Sequence, residues 1–260
     1  NQYSLLPNVV NSDFAPASRK LVYPWLAYEL VEDQYRKLEN LNQIGRAEDL
    51  GLGWRANALV GLASPKFGAD RRALVWSGSF SHSAAPSESE IAVLNASISG
   101  RTENAKLQNT LTSIAGRYYW RQTPRQLFFI SLRTDISSHL DADQQIILGG
   151  DNGLRGYPLR YQAGSGRWVM TAEQRLFSDW YPFRLARVGG AIFYDMGRTW
   201  GDNPTGSRSL GLLRDAGFGL RIAHSRSGFG SVTHVDVAFP IGANKDISKA
   251  QLLIETKRSF

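Results

Sequence analysis

Cysteine is absent from all 260 residues, which excludes a thiol nucleophile, a thiolate metal site and a disulfide framework. Methionine is scarce (2), and no apolar run approaches the roughly 18 residues that a membrane-spanning helix needs. Helical periodicity is weak everywhere. Blocks of like charge are missing too. The balance of 30 Lys+Arg against 23 Asp+Glu is +7, but the arginines are spread from Arg19 to Arg258 and no basic run exceeds two residues. Nucleic acid requires a clustered basic face with interleaved aromatics, so no nucleic-acid partner is expected; an anionic membrane surface, or merely a soluble basic face, suits this distribution better. Mean hydropathy is −0.29. Together with the missing apolar run, that value excludes a helical membrane protein but not a membrane barrel, whose strands are apolar at only every second residue.

What the chain does have is alternation with a period of two, in segments of about ten residues or more. Leu52, Trp54, Ala56, Ala58, Val60 and Leu62 alternate with Gly53, Arg55, Asn57, Leu59 and Gly61. Phe128, Ile130, Leu132, Thr134 and Ile136 alternate with Ser131, Arg133, Asp135 and Ser137. Strands are predicted near 20–31, 35–43, 49–63, 70–83, 89–101, 105–121, 125–137, 167–177, 187–197, 212–224, 231–240 and 250–260. The expected fold is all-β, a transmembrane antiparallel β-barrel of about twelve strands spanning 20–260. Residues 1–19 are expected to be an N-terminal tail or plug, and 138–166 a long loop.

A soluble barrel or sandwich is the competing architecture, and it would fill its interior with Val, Ile and Leu. Here the polar face carries Arg55, Asn57, Arg133, Asp135, Asp195, Asp215, Arg221, His234 and Asp236, which suits a hydrated lumen. Aromatic residues gather near predicted strand ends, as interfacial girdles do: Tyr118, Tyr119 and Trp120; Trp180, Tyr181 and Phe183; Trp200; Phe260. A membrane-spanning barrel is therefore expected over the soluble one.

The loop at 138–166 holds the sequence's one dense motif, Gly149-Gly150-Asp151-Asn152-Gly153-Leu154-Arg155-Gly156-Tyr157. A phosphate-binding loop is the first possibility to test. Pro158 follows at once and no helical pattern opens after the glycines, so the spacing does not fit. What remains is one arginine among flexible residues, in a loop long enough to fold back into a lumen.

This motif resembles the loop signature of the BamA-like outer-membrane assembly superfamily, which includes TamA-type and two-partner-secretion transporters. The family loop usually reads Val-Arg-Gly-Phe or Tyr, so Leu154 departs from it. Two later segments are similar to the family's as well: Met170-Thr171-Ala172-Glu173-Gln174-Arg175-Leu176, and Phe193-Tyr194-Asp195-Met196-Gly197-Arg198-Thr199-Trp200. Terminal Phe260 resembles the sorting signal of outer-membrane barrels. Strand parity puts Glu173 and Asp195 on the polar face of neighbouring strands, where Arg155 can bridge them. The resemblance implies the same clamp of the loop inside the barrel. Seven strands are predicted to precede the loop, which places it outside the membrane if both termini are periplasmic. Sixteen strands are usual in the family, so a fragment of a sixteen-stranded barrel is the alternative reading.

The resemblance implies a non-enzymatic barrel in the bacterial outer membrane, among its lipids and lipopolysaccharide, that inserts, secretes or translocates a protein or lipid client. Its seam would lie between Leu21–Val31 and Gln251–Phe260, open to a client strand, a client barrel or a second copy of the chain. A barrel-embedded hydrolase, either phospholipase or protease, is one alternative; a passive pore is the other. The hydrolase would draw on His82, His139, His224 or His234, of which His82 and His139 sit near serines at predicted strand ends, but no Gly-x-Ser-x-Gly or His-Glu-x-x-His is present. No cofactor, metal or catalytic residue is expected.

Overall fold

Pro24 lacks an amide hydrogen, Asn40 takes a left-handed backbone (φ 59°), and together they delimit the first stretch of sheet. A computed structural model describes residues 18–201, 210–224 and 231–258. Among these residues the ordered elements are strands and three single-turn 3-10 segments, with no α-helix. The strands are β1 (Trp25–Val31), β2 (Gln34–Glu39), β3 (Ala47–Ala63), β4 (Ala73–Ala84), β5 (Glu90–Glu103), β6 (Lys106–Thr123) and β7 (Gln126–Ser138). They continue as β8 (Ile146–Leu148), β9 (Gln162–Gly164), β10 (Gly166–Phe177), β11 (Ala186–Trp200), β12 (Leu213–His224), β13 (Ser231–Pro240) and β14 (Gln251–Arg258). The fold is all-β, and every strand pair is antiparallel.

Twelve of the strands form one sheet in the order β1-β3-β4-β5-β6-β7-β10-β11-β12-β13-β14, with β2 also on β3. β8 and β9 make a separate hairpin inside the long loop. The sequence reading treats 20–31 and 35–43 as two successive strands, and here the structure corrects it. β1 and β2 lie end to end on the same edge of β3, Trp25 facing Gly61 and Glu39 facing Ala47 without any shift of register. The ladder is interrupted opposite Gly53, whose φ of 79° is a left-handed conformation that only glycine adopts freely. There the Glu32 carboxylate accepts from the Trp54 amide, while the Glu32 amide still donates to the Trp54 carbonyl. Counting the collinear pair once leaves eleven lanes.

That count has a directional consequence. Six lanes, not seven, precede the long loop, so β1 begins at the loop end of the sheet and β14 finishes at the opposite end. Both edge strands therefore run the same way. Among the described residues no pairing joins β14 to β1 or β2. Of the expected seam, residues 21–24 lie outside β1, and Phe260 lies outside the described residues.

The sheet is strongly curved, and the β2–β3 turn measures how strongly. On a flat sheet β13 would stand nine lanes from β2, about 43 Å at the usual strand spacing. Yet Ile44 in that turn packs against Ala223 of β12 and Val232 of β13. The Leu41 carbonyl accepts from Arg175 of β10 at 2.7 Å, and Leu41 joins Leu38, Ile91, Val93, Tyr119 and Leu127 in a buried cluster. The turn thus folds across the concave side at the end opposite the long loop. Burial of Tyr119 corrects its assignment to an interfacial girdle, since Tyr118 and Tyr119 are consecutive and must point to opposite faces.

One buried carboxylate shapes this turn. Glu48 accepts from the backbone amides of Leu41, Asn42 and Gln43, at 2.9, 2.9 and 3.0 Å. Replacing Glu48 with Ala leaves those donors unpaired inside the fold and should destabilise the turn by about 3 kcal/mol. Amide hydrogen exchange at residues 41–43 is expected to accelerate at least tenfold, while exchange at residues 154–157 stays unchanged.

Candidate functional site

Inward positions on adjacent strands line up in rows. Arg117, Ser131, Thr171, Asp195 and Asp215 occupy one row across β6, β7, β10, β11 and β12. The next row carries Tyr119, Phe129, Glu173, Phe193, Gly217 and Ala238. The one after includes Arg175, Ala191, Gly219 and Asp236. Small residues in these rows leave room above the sheet, and the motif loop fills it.

The loop is anchored by apolar contacts before any charge is considered. Leu148, Leu154, Tyr157, Leu213 and Ile247 form a buried cluster, with Tyr161 and Val169 packed on it. Leu154, where the family pattern has Val, is wholly enclosed there. The Leu154 amide donates to the Gly149 carbonyl and the Tyr157 amide to the Leu154 carbonyl, so the motif closes on itself. The Tyr157 hydroxyl donates to the Arg214 carbonyl at 3.1 Å. Burial pushes its pKa above the usual phenol value, which keeps it a neutral donor. Gly156 passes so close to the sheet that a Cβ there would lie 2.5 Å from the Asp215 Cβ. Only glycine fits at that approach.

Arg155 points into the concave side and is 6% exposed. Its Nε and Nη2 donate to the two oxygens of Asp195 at 2.7 and 2.9 Å. Its Nη1 donates to Glu173 at 2.9 Å and to Asp236 at 3.2 Å. The guanidinium carbon sits 3.3 Å from the centroid of the Phe193 ring, a cation–π contact that covers the remaining face. Burial works against the arginine's charge, but Asp195, Glu173 and Asp236 outweigh it, and its pKa is raised.

The structure thus brings Arg155 to Glu173 and Asp195, and it adds partners that the sequence reading left out of the clamp. Arg221 donates to Asp236 and to Glu173, the latter at 3.0 Å. Arg175 donates to Glu173 at 2.8 Å. Inward parity marked Arg221 and Asp236 as polar-face residues, but only the register between strands shows that they meet Arg155. Asp135 organises a second, smaller network nearer the loop end, accepting from Arg133, Arg167 and Ser113.

Between the β2–β3 turn and the motif loop lies a cavity of about 420 Å³. Leu41 and Ile44 line one end and Gly150 and Arg155 the other, with Tyr119, Glu173, His234 and Lys257 among its walls. Of the histidines, His139 Nδ1 lies 2.8 Å from the Ser138 hydroxyl, but nearby Asp141 is held by the two terminal Arg101 nitrogens at 2.6 and 2.7 Å. No group of three or more acidic or histidine side chains among the described residues is arranged to hold a metal ion. Comparison with protein-family models and with curated proteins finds no match to this chain.

Arg155→Ala should strand Asp195, Glu173 and Asp236 around too few cations, costing the closed loop about 3–5 kcal/mol. That corresponds to roughly a hundredfold or greater rise in protease cleavage within 149–157. Arg155→Lys keeps the charge but loses the fork, and its cleavage rate should fall between wild type and Arg155→Ala. Equal rates for all three proteins would contradict the clamp.

Proposed function

We propose that the chain forms a non-enzymatic outer-membrane β-barrel, of the BamA-like superfamily that its motifs resemble, and that it acts in the insertion, secretion or translocation of a protein or lipid client. The observation that carries this reading is the inverted polarity of the sheet. On the convex face Ile192 is 58% exposed and Phe218 56%, whereas Asp195 and Asp215 on the concave face are 0% exposed. Leu94, Ile98, Ile114, Leu132, Ile136, Leu220, Leu252 and Ile254 extend the exposed apolar face across neighbouring strands. A protein surrounded by water does not leave so continuous an apolar face uncovered while burying its carboxylates. Lipid against the convex face removes the conflict.

The connections support the same orientation. Four of the five connections at the motif-loop end, 64–72, 139–165, 201–212 and 241–250, are longer than any at the opposite end, and the fifth, 104–105, is a tight turn. Long loops face outward and short turns face the periplasm in such barrels. Arg155 then holds the loop in the lumen from the outer side, and the β2–β3 turn narrows the lumen from the periplasmic side. The edges of β1 and β14, unpaired among the described residues, supply the client surface. Their free amides and carbonyls cannot remain unpaired in hydrocarbon. Because the two edges run in the same direction, one further strand running the other way would be antiparallel to both.

Two measurements separate the membrane reading from the client reading. In vesicles of phospholipid and lipopolysaccharide, bromine-labelled acyl chains should quench the fluorescence of Trp54, Trp76 and Trp168; an unquenched protein is not in the bilayer. Photo-crosslinking residues placed at Tyr28 on β1 and Leu252 on β14 should capture polypeptide or lipid clients in cells. A control at Ile192, far from the edges, should capture bulk lipid only. Identical products at all three positions would remove the edges from the function.

A further inference from the structure

Behind the clamp the charges do not balance. Three guanidiniums, those of Arg155, Arg175 and Arg221, face three carboxylates, those of Glu173, Asp195 and Asp236, and all six are joined by hydrogen bonds. Asp215 is a fourth carboxyl group, with no exposed surface, and neither of its oxygens has a hydrogen-bond partner among the described residues. It stands directly across from Asp195 in the β11–β12 register. Side chains so paired lie about 5 Å apart at Cβ. Both Asp195 oxygens are already taken by Arg155 from the other side. The Gly156 backbone closes over Asp215, its Cβ position 2.5 Å from that of the aspartate, so the motif loop keeps water away.

Two ionised carboxylates held side by side away from water are strongly disfavoured when only one of them is paired by a cation; the Gly156 amide and the Arg155 guanidinium face Asp215, but Arg155 spends its donors on Asp195, Glu173 and Asp236. A single proton changes the contact from repulsion to an O–H···O⁻ hydrogen bond, one of the stronger kinds available in a protein. We propose that Asp195 and Asp215 form a proton-binding site beneath the motif loop, in which the Asp215 carboxyl holds the proton and donates it to Asp195, and that the loop closes over the pair only when the proton is bound. Facing Asp215 are Asp195 from β11 and Arg155 and Tyr157 from the loop. Its cross-strand partner on β13 is Pro240, which does not titrate. Glu173, Asp236 and Arg221 reach the pair only through the clamp.

The sign of the pH dependence follows. An open loop exposes Asp215 to water, where it ionises as an ordinary carboxyl; a closed loop requires it neutral. Closure takes up one proton, so the closed-to-open ratio is favoured at low pH and declines as pH rises, by up to about tenfold per pH unit. This inference goes beyond the proposed function and does not depend on it, since it concerns only the closed loop.

The test is infrared spectroscopy on protein labelled with ¹³C at the aspartate side-chain carboxyl. A neutral-acid carbonyl band that shifts with the label should be present near neutral pH and absent from Asp215→Asn. In the wild type, that band and the protease protection of 149–157 should disappear together as pH is raised. Asp215→Asn, whose amide is neutral at every pH and can donate to Asp195, should keep the loop protected throughout. Absence of a labelled band from the wild type overturns the proposal, as does a band that survives in Asp215→Asn. Should the variant fail to fold, the wild type alone decides: loss of the band in step with loop protection supports the site, and a band unrelated to protection, or no band, refutes it.

Discussion

A single guanidinium, that of Arg155, joins carboxylates from β10, β11 and β13 and ties to them a loop that the apolar contacts of Leu154 and Tyr157 bring to the concave side. Much of the concave side is arranged around this contact. Small residues in the inward rows leave space for it, Phe193 lies beneath it, and Arg175 and Arg221 neutralise the acids that one arginine cannot. A buried ion pair contributes little net stability by itself, because the desolvation of its charges offsets most of their attraction. Its value is specificity. With Asp195 presenting two oxygens to a planar fork, the loop has one register in which all the charges are satisfied.

The β2–β3 turn enters the concave side from the other end on different chemistry. Glu48 gathers three amides, and Leu41 and Ile44 bury apolar surface against distant strands. A charged clamp at one end and an apolar stopper at the other leave a polar cavity between them. Under the proposed membrane placement, such a chamber is narrowed toward each aqueous side by one of the two inward segments. The seam between β1 and β14 then becomes the open side of the molecule, which is the side where a client would act.

How much of this was legible beforehand depends on whether the signal is local. Alternation at Phe128–Ile136 and at Leu52–Leu62 reports a strand and its faces from neighbouring residues alone. The convergence of Arg155 with Glu173 and Asp195 was expected from the motif resemblance, and parity agreed with it because one loop and two successive strands are near in sequence. The end of β2 at Asn40 was missed because the alternation there is poor and the left-handed turn is set by the Asn40 side chain accepting from the Gly45 amide. Tyr119 was misplaced because a run of aromatics looks like a girdle until strand parity divides it between two faces.

The amino-acid order by itself determined the fold class, the inward and outward faces, and which residues were available to a clamp, since each follows from periods of two along a short stretch of chain. Tertiary structure alone decided the lane count, the common direction of β1 and β14, the addition of Arg221 and Asp236 to the clamp, and the juxtaposition of Asp195 with Asp215. Those features rest on register between strands far apart in sequence. Register is fixed by the sum of many side-chain fits across the curved sheet, and no local pattern records that sum.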